Sequence, residues 1–462
     1  MANIQTEHPE YVSKKATLQK YRLLYQGGEA LRAEVSQYLL PRQKEPGTVY
    51  QERVNRFFYE NYVGSIIDWY SATLFRREPM VILEGVQEAS RSFYNEFAED
   101  CDLKGTTISD FFRQQLVETL VGGASYIVVD FPRLEQHFMS RAEEDHYGAS
   151  RAYLAAYTAE DLINWSHDQR GNLEWAVFRT QRLRADSAGE EHVLEQRWVY
   201  YDRTTYAVYR ARANEKDQEP ELVAKGLHGL ARQRRVPVFE LKVTDGLWLM
   251  NKAGLLQLEH MNKSNALSWA LTMGLFSMPV VYSDRPFHQV LGESYYIQLA
   301  PEDRFGWTEP EGHVFQVAVD NLNRLKDEIY RTCFLMVQAG GPLSSGASQS
   351  GLSKQRDYAI TQEVLRAYGD AVKDCMKRVL RAIGTAREDA LSIDVSGLDE
   401  FDIGDFSSEL SDAERLLFLN IGSATLRKQI LNKLALKYLC DVRQEVKDRV
   451  VQEIDAWCRS QE

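Results

Sequence analysis

Around residue 121 the hydrophobic pattern changes period, from the helical repeat of about 3.6 residues to the two-residue alternation of strands. Before that point the apolar residues lie on helical faces. Leu18, Tyr21, Leu24 and Tyr25 share one face, Gly27-Gly28 interrupts it, Leu31, Val35, Tyr38 and Leu39 resume it, and Pro41 ends it. Phe57, Phe58, Tyr62, Ile66, Ile67, Trp69 and Tyr70 form a broader apolar helical face that stops at Arg76-Arg77-Glu78-Pro79, and residues 91–120 read as further helix. Beyond it, Ser125–Asp130 is a buried-strand run, and 173–178, 196–201, 206–209 and 236–240 alternate like an antiparallel sheet. The polar stretches 183–191 and 213–220 fit hairpin loops. Helices grouped first and strands grouped after them predict an α+β fold.

The second half returns to helix. A helix is expected from 245 to 273, a strand-like piece at 278–282, and a loop rich in Pro, Gly and aromatics up to Gly312. An amphipathic helix over 313–338 carries Leu322, Leu325, Ile329, Cys333 and Met336 on one stripe. Residues 339–353, AGGPLSSGASQSGLS, form the most loop-like stretch of the chain. A long helix over 354–388 follows, with Leu365, Tyr368, Val372, Cys375, Val379 and Ile383 in register, then a strand region at 391–403. The C-terminus reads as a small helical unit. Ser411 and Glu414 have capping-box spacing, Gly422 stops that helix, and Asp441 with Gln444 looks like a second cap. The chain has no repeat of fixed period.

Charge and cysteine content exclude several classes. Fifty-five Lys and Arg against 67 Asp and Glu leave a net charge of −12. Tight DNA binding depends on neutralising phosphates, so it is not expected as the main task of so acidic a chain. The five cysteines are widely spaced and none forms a C-x-x-C pair, so reduced, mostly buried thiols are expected rather than a zinc site or disulfide framework. No apolar run reaches the roughly 18 residues of a membrane span, and no signal-peptide pattern is visible. A soluble, non-secreted chain is expected.

The local motifs are weak. Gly122-Gly123-Ala124-Ser125 lacks the Lys-Ser/Thr ending of a phosphate loop and precedes a strand, so a helix-to-strand turn is expected. The histidines form neither H-x-x-x-H nor H-E-x-x-H, and His137 and His146, beside Glu143, Glu144 and Asp145, read as a solvated loop. Ser264, Ser283 and Ser344 lack a nucleophile-elbow context. The Gly/Ser run at 339–353 is either a functional loop or a plain mobile connector, since long loops between strong helices are usually one or the other. The basic residues Arg324, Lys326, Arg331, Lys354 and Arg356 around it either touch phosphates or belong to solvated faces with pairs such as Asp327–Arg331.

The order of these parts resembles the portal proteins of tailed bacteriophages. So do local stretches: Gly28–Pro41, Arg53–Phe58 followed by Thr73–Pro79, and Ser350-Gly351-Leu352-Ser353 ahead of the long helix. The resemblance covers nearly the whole chain and rests on order and spacing. It implies a non-enzymatic protein without cofactor or metal. It further implies a dodecameric ring at one capsid vertex, in the host cytoplasm during assembly and afterwards in the virion, with duplex DNA expected to pass through the ring without sequence specificity. The implied partners are the terminase large subunit, a head-tail adaptor, the major capsid protein and a scaffolding protein, with no membrane.

Carried across, the resemblance implies a mixed wing at 1–245 and 354–403, stem helices at 246–273 and 313–338, a small α/β clip at 274–312, a tunnel loop at 339–353 and a helical crown at 404–462. It places Gly340, Gly341, Ser344, Ser345, Gly346, Ser348, Gln349, Ser350, Gly351 and Ser353 at the DNA channel, with Lys354 and Arg356 as a modest basic ring. In the clip, Pro286, Phe287, Tyr295, Tyr296, Phe305 and Trp307 are expected to dock partners, because exposed aromatics enrich binding surfaces. Leu322, Leu325 and Ile329 are expected to pack between subunits, their stripe being buried only in the ring. A second class stays open: a nuclease or protease of the assembly apparatus, a nuclease needing clustered carboxylates such as Asp399, Glu400, Asp402 and Asp405 to hold metal ions.

Overall fold

The computed structural model describes residues 3–85, 88–132, 143–144, 147–185, 187–189, 191–212, 219–274, 278–284, 299, 301–308, 312–335, 351–398, 413–416, 418, 423–438 and 442–460. In chain order its first helices are α1 (Pro9–Gln26), α2 (Gly28–Ala33), α3 (Gly47–Asn55) and α4 (Tyr62–Leu74). Strand β1 (Met80–Glu84), α5 (Glu88–Glu99) and α6 (Ile108–Gly122) follow. A run of strands comes next: β2 (Ala124–Asp130), β3 (Tyr153–Thr158), β4 (Leu162–His167), β5 (Leu173–Arg184), β6 (Val193–Asp202), β7 (Thr205–Arg212), β8 (Glu221–Leu227) and β9 (Val238–Lys242). The second half contains α7 (Leu249–Gly274), β10 (Met278–Tyr282), β11 (Arg304–Thr308), α8 (Gly312–Thr332) and α9 (Gly351–Arg387). It ends with β12 (Ser392–Ser396), α10 (Ala424–Tyr438) and α11 (Gln444–Ser460). The fold is α+β, as the period change predicts.

The chain divides into two compact units. The first comprises Met1–Tyr25, Gly64–Lys252 and Gln349–Glu462, the second Gln26–Val63 and Ala253–Ser348. Residues 26–63 therefore belong with 253–348 and not with the sheet, and the described C-terminal helices belong to the first unit.

In the first unit β4 to β8 form an antiparallel meander, and β2 sits between β3 and β9 in a three-stranded sheet. Both faces of the meander are covered. Val128 and Val238 of the three-stranded sheet meet Phe178, Val199 and Tyr201 on one face, while Tyr11 of α1 meets Ile163, Val177 and Trp198 on the other. Each fully buried Phe or Val contributes about 1.5–3 kcal/mol of transfer free energy, before entropy is set against it.

The turn from α6 into β2 shows why the glycine pair stands there. Thr107 caps the helix start, its hydroxyl accepting from the Asp110 N–H at 3.1 Å. At the other end Gly123 is left-handed at φ 85°, and a Cβ there would lie 3.1 Å from the Trp248 ring. Gly122-Gly123 is a helix-to-strand turn, as expected.

The α9 stripe of Leu365, Tyr368, Val372, Cys375, Val379 and Ile383 is buried throughout. Beyond α9 the chain returns so that β12 pairs with β1, Ser396 opposite Met80 and Ser392 opposite Glu84. The C-terminal helix is tied to the same region. Arg91 bridges Asp448 at 2.7 Å, Gln444 donates to the Val81 carbonyl at 2.8 Å, and Lys447 meets Glu78 at 3.0 Å.

Three helix limits differ from expectation. Residues 91–120 hold two helices, because the Asp100 and Asp102 carboxylates accept from the backbone N–H groups of Lys104, Gly105 and Thr106 and make a turn. The helix expected to run to 338 ends at Thr332, where Phe334 turns left-handed at φ 63°. The long helix starts at Gly351, three residues before the expected 354, and so takes in Gly351 and Ser353.

Candidate assembly and docking surfaces

The second unit is built on α7. Gln257, Asn262 and Asn265 of this helix each use both halves of their amide on the backbone of residues 38–63. Asn262 donates to the Tyr38 carbonyl and accepts from the Leu40 N–H, both at 2.9 Å. Asn265 donates to the Phe58 carbonyl at 2.9 Å and accepts from the Phe58 N–H at 3.2 Å. Gln257, fully buried, donates to the Glu60 carbonyl at 2.7 Å and accepts from the N–H groups of Tyr62 and Val63 at 3.1 and 3.2 Å. The three amides form a ladder that lays this segment along the helix. Sequence reading sees them as polar interruptions. The only signal was their spacing at i, i+5 and i+8, which places them in one sector of the helix.

Helix α8 packs within the same unit. Leu325, Ile329 and Cys333 are 4%, 0% and 0% exposed, and Leu322 is half-buried. This corrects the expectation that the stripe waits for a neighbouring subunit: Leu325 and Ile329 are already core residues of a single chain. The Tyr62 ring anchors the packing, 5.0 Å from His260 and 6.3 Å from Tyr330 between ring centres, with the Lys326 ammonium 5.8 Å from it. His260 is buried, and its Nδ1 has no hydrogen-bond partner. The Glu60 carboxylate, at 3.6 Å, is too far to hydrogen-bond. Burial lowers the His260 pKa, the Glu60 charge opposing and the Lys326 charge reinforcing it.

The apolar surface left open lies elsewhere on these helices. Val314 and Val317, in the first half of α8, are 65% and 54% exposed, and Leu271 near the end of α7 and Tyr282 at the end of β10 are also exposed. Between the helices β10 and β11 pair antiparallel, Val281 opposite Phe305 and Pro279 opposite Trp307. Phe305 is half-buried on this hairpin. Of the expected docking residues, Phe305 and Trp307 are thus placed on one strand, while Pro286, Phe287, Tyr295 and Tyr296 lie outside the described residues. Gly340, Gly341, Ser344, Ser345, Gly346, Ser348, Gln349 and Ser350 also lie outside them. Gly351, Ser353, Lys354 and Arg356 occupy the first turns of α9.

Among the described residues no group of three or more His, Cys, Asp or Glu side chains is placed to hold a metal, and no helix is long and apolar enough to cross a membrane. Asp399, Glu400, Asp402 and Asp405 lie outside the described residues. The described cysteines, Cys101, Cys333, Cys375 and Cys458, are buried and form no disulfide with one another, and burial pushes the Cys375 thiol up to about 12. Such a thiol is not a nucleophile near neutral pH.

No family model matches the chain, and no curated protein matches it. Among solved structures, the neck of an empty gene transfer agent particle computed with C6 symmetry is similar at a TM-score of 0.44 and 13% identity, over 85% of this chain and 95% of that one. The virion of a native gene transfer agent particle gives a TM-score of 0.39 and 13% identity, covering 88% of this chain and 95% of that chain. The neck of a native particle computed with C12 symmetry gives 0.38 and 12%, covering 86% and 95%.

Proposed function

We propose that this chain is the subunit of a phage-type portal ring, a mechanical conduit for duplex DNA and not an enzyme. The observation that carries the reading is the build of the second unit. Two long helices, of 26 and 21 residues, flank a β-hairpin, and the chain then continues towards a 37-residue helix. This order is compatible with the stem–clip–stem–long-helix order that the sequence resemblance implies and supports the reading. The exposed Val314, Val317, Leu271 and Tyr282 add apolar surface on the stem helices and hairpin, the parts that meet neighbours or docking partners in such a ring.

On this reading the β10–β11 hairpin with Phe305 and Trp307 belongs to the docking end, where the terminase and later a head-tail adaptor bind. Residues 340–353 line the channel, with Lys354 and Arg356 behind them. The net charge of −12 suits a conduit that must release DNA, since a strongly basic channel would hold it. The mass of the purified full chain in solution, by light scattering, tests the assembly. A mass near twelve chains is expected. A stable monomer, even with the capsid scaffolding partner co-expressed, would contradict the proposal.

A further inference from the structure

The first unit holds a cleft of about 810 Å³ between α1, the three-stranded sheet and one end of the meander. Five of its lining residues are cations with no carboxylate of a described residue within ion-pair distance: Lys14, Arg234, Arg235, Lys242 and Arg378. Three are carboxylates with no such cation: Glu10, Glu240 and Asp245. Asp168 and Arg203, 2.9 Å apart, cancel each other. With His167 counted as neutral, the described lining carries an excess of two positive charges, on a chain whose net charge is −12.

Two of the arginines are fixed by neutral groups. The Arg235 guanidinium lies 4.6 Å from the centre of the Phe239 ring, and Arg378 donates to the Glu240 carbonyl at 2.7 Å. Arg234, beside Arg235 in the chain, is left-handed at φ 47°, which side chains of its kind rarely adopt. Covering of the Arg235 head group and, second to it, the Arg378 charge lower the Arg235 pKa, so the two cations feel each other. Guanidiniums that repel and have no counter-charge are relieved by an oxyanion that takes a planar fork from each. Tyr126 adds a neutral donor. It stands opposite Glu240 across the sheet and lines the cleft, and its hydroxyl has no hydrogen-bond partner among the described residues. Burial, with the Glu240 charge second, raises its pKa and keeps the proton on the oxygen.

The charge count selects the size of the anion. One phosphate, carrying about two negative charges near neutral pH, offsets the excess of two. A polyanion would overshoot it and run onto the cleft's own carboxylates. Asp245, for one, lies past the far end of β9 from Arg235, a strand of five residues at about 3.3 Å each. We propose that the cleft binds a single phosphoryl group through Arg235 and Arg378, with Arg234 and the Tyr126 hydroxyl as further donors. The group arrives as free phosphate or on a small phosphorylated molecule. The Trp165 and Trp248 rings in the lining give a planar carrier, such as a nucleotide, a wall to stack on. The inference does not depend on the ring reading.

Calorimetric titration of the full chain with inorganic phosphate, and separately with AMP, in a chloride buffer tests it. Saturable one-site binding, weakened about tenfold by Arg235→Gln with Arg378→Gln at unchanged thermal midpoint, supports the proposal. AMP binding at least about tenfold tighter than phosphate identifies a nucleotide carrier, and equal affinities identify free phosphate. Saturation by neither probe up to about 10 mM overturns the proposal, as does a Gln pair that binds like the unaltered chain. Because the Gln pair can fail by misfolding, Arg378→Gln alone, on the exposed side of α9, is titrated as well. It is expected to lose about threefold in affinity, and an unchanged affinity overturns the assignment. The better probe should also raise the thermal midpoint of the unaltered chain more than that of either variant, and an equal rise in all three counts against the site. Capture at these arginines of a labelled DNA duplex, and of neither small probe, would assign the cleft to nucleic acid and overturn the proposal. Ring formation is read separately by sedimentation, so the failure of either reading leaves the other standing.

Discussion

Gln257, Asn262 and Asn265 stand where a helix reading sees an apolar face broken three times. Each is explained only by a partner some 200 residues away in the chain, so no local pattern reveals its task. Removing one amide strips a carbonyl and at least one N–H of their partners, and an unsatisfied buried group costs about 1–3 kcal/mol. Gln257→Leu and Asn265→Leu should therefore each lower unfolding stability by about 2–4 kcal/mol in denaturant titration. A loss under about 0.5 kcal/mol would mean that the ladder is replaceable by water. His260 gives a second prediction. Its folded pKa lies below the ordinary 6.5 because burial opposes the charged ring. Between these values the unfolded chain binds a proton that the folded chain refuses. Stability should fall as pH drops through 6.5 and level off below the lowered folded value. Glu60, Lys326 and Tyr62 face the ring, so the test replaces only the imidazole: His260→Gln should flatten this part of the stability–pH curve. An unchanged slope would assign it to other groups.

At the scale of elements, α8 separates two roles that one hydrophobic stripe had joined. Leu325 and Ile329 close the core of their own unit, whereas Val314 and Val317, one to two turns into the same helix, are open. Leu325→Asp buries an unpaired charge and should unfold the unit, seen as lost near-ultraviolet circular dichroism and aggregation. Val314→Asp with Val317→Asp should keep the thermal midpoint within a few degrees and abolish assembly. A double variant that still assembles would remove this face from the interface. Much of the element layout was legible beforehand. A buried-strand run marked β2, period-two alternation marked β5, β6 and β7, and the stripe from Leu365 to Ile383 marked α9, because burial leaves a local imprint. What escaped was set by long-range pairing or by single backbone torsions. Strand β1 gains its partner only from β12, some 300 residues later, and α8 stops early through one left-handed residue, Phe334. The site was less legible than the fold. Exposure of Val314 and Val317 depends on how α8 sits against α7 and residues 38–63.

For the whole molecule the central claim is a closed ring around a channel. Heterologous contacts between identical chains close into rings or run on as filaments, and the exposed helix face decides which by its angle to the neighbour. Negative-stain electron microscopy of the purified full chain, with class averages viewed end-on, tests this most directly. The account predicts closed rings of about twelve subunits with an open centre. Monodisperse single chains, or open filaments without an axial channel, would contradict it.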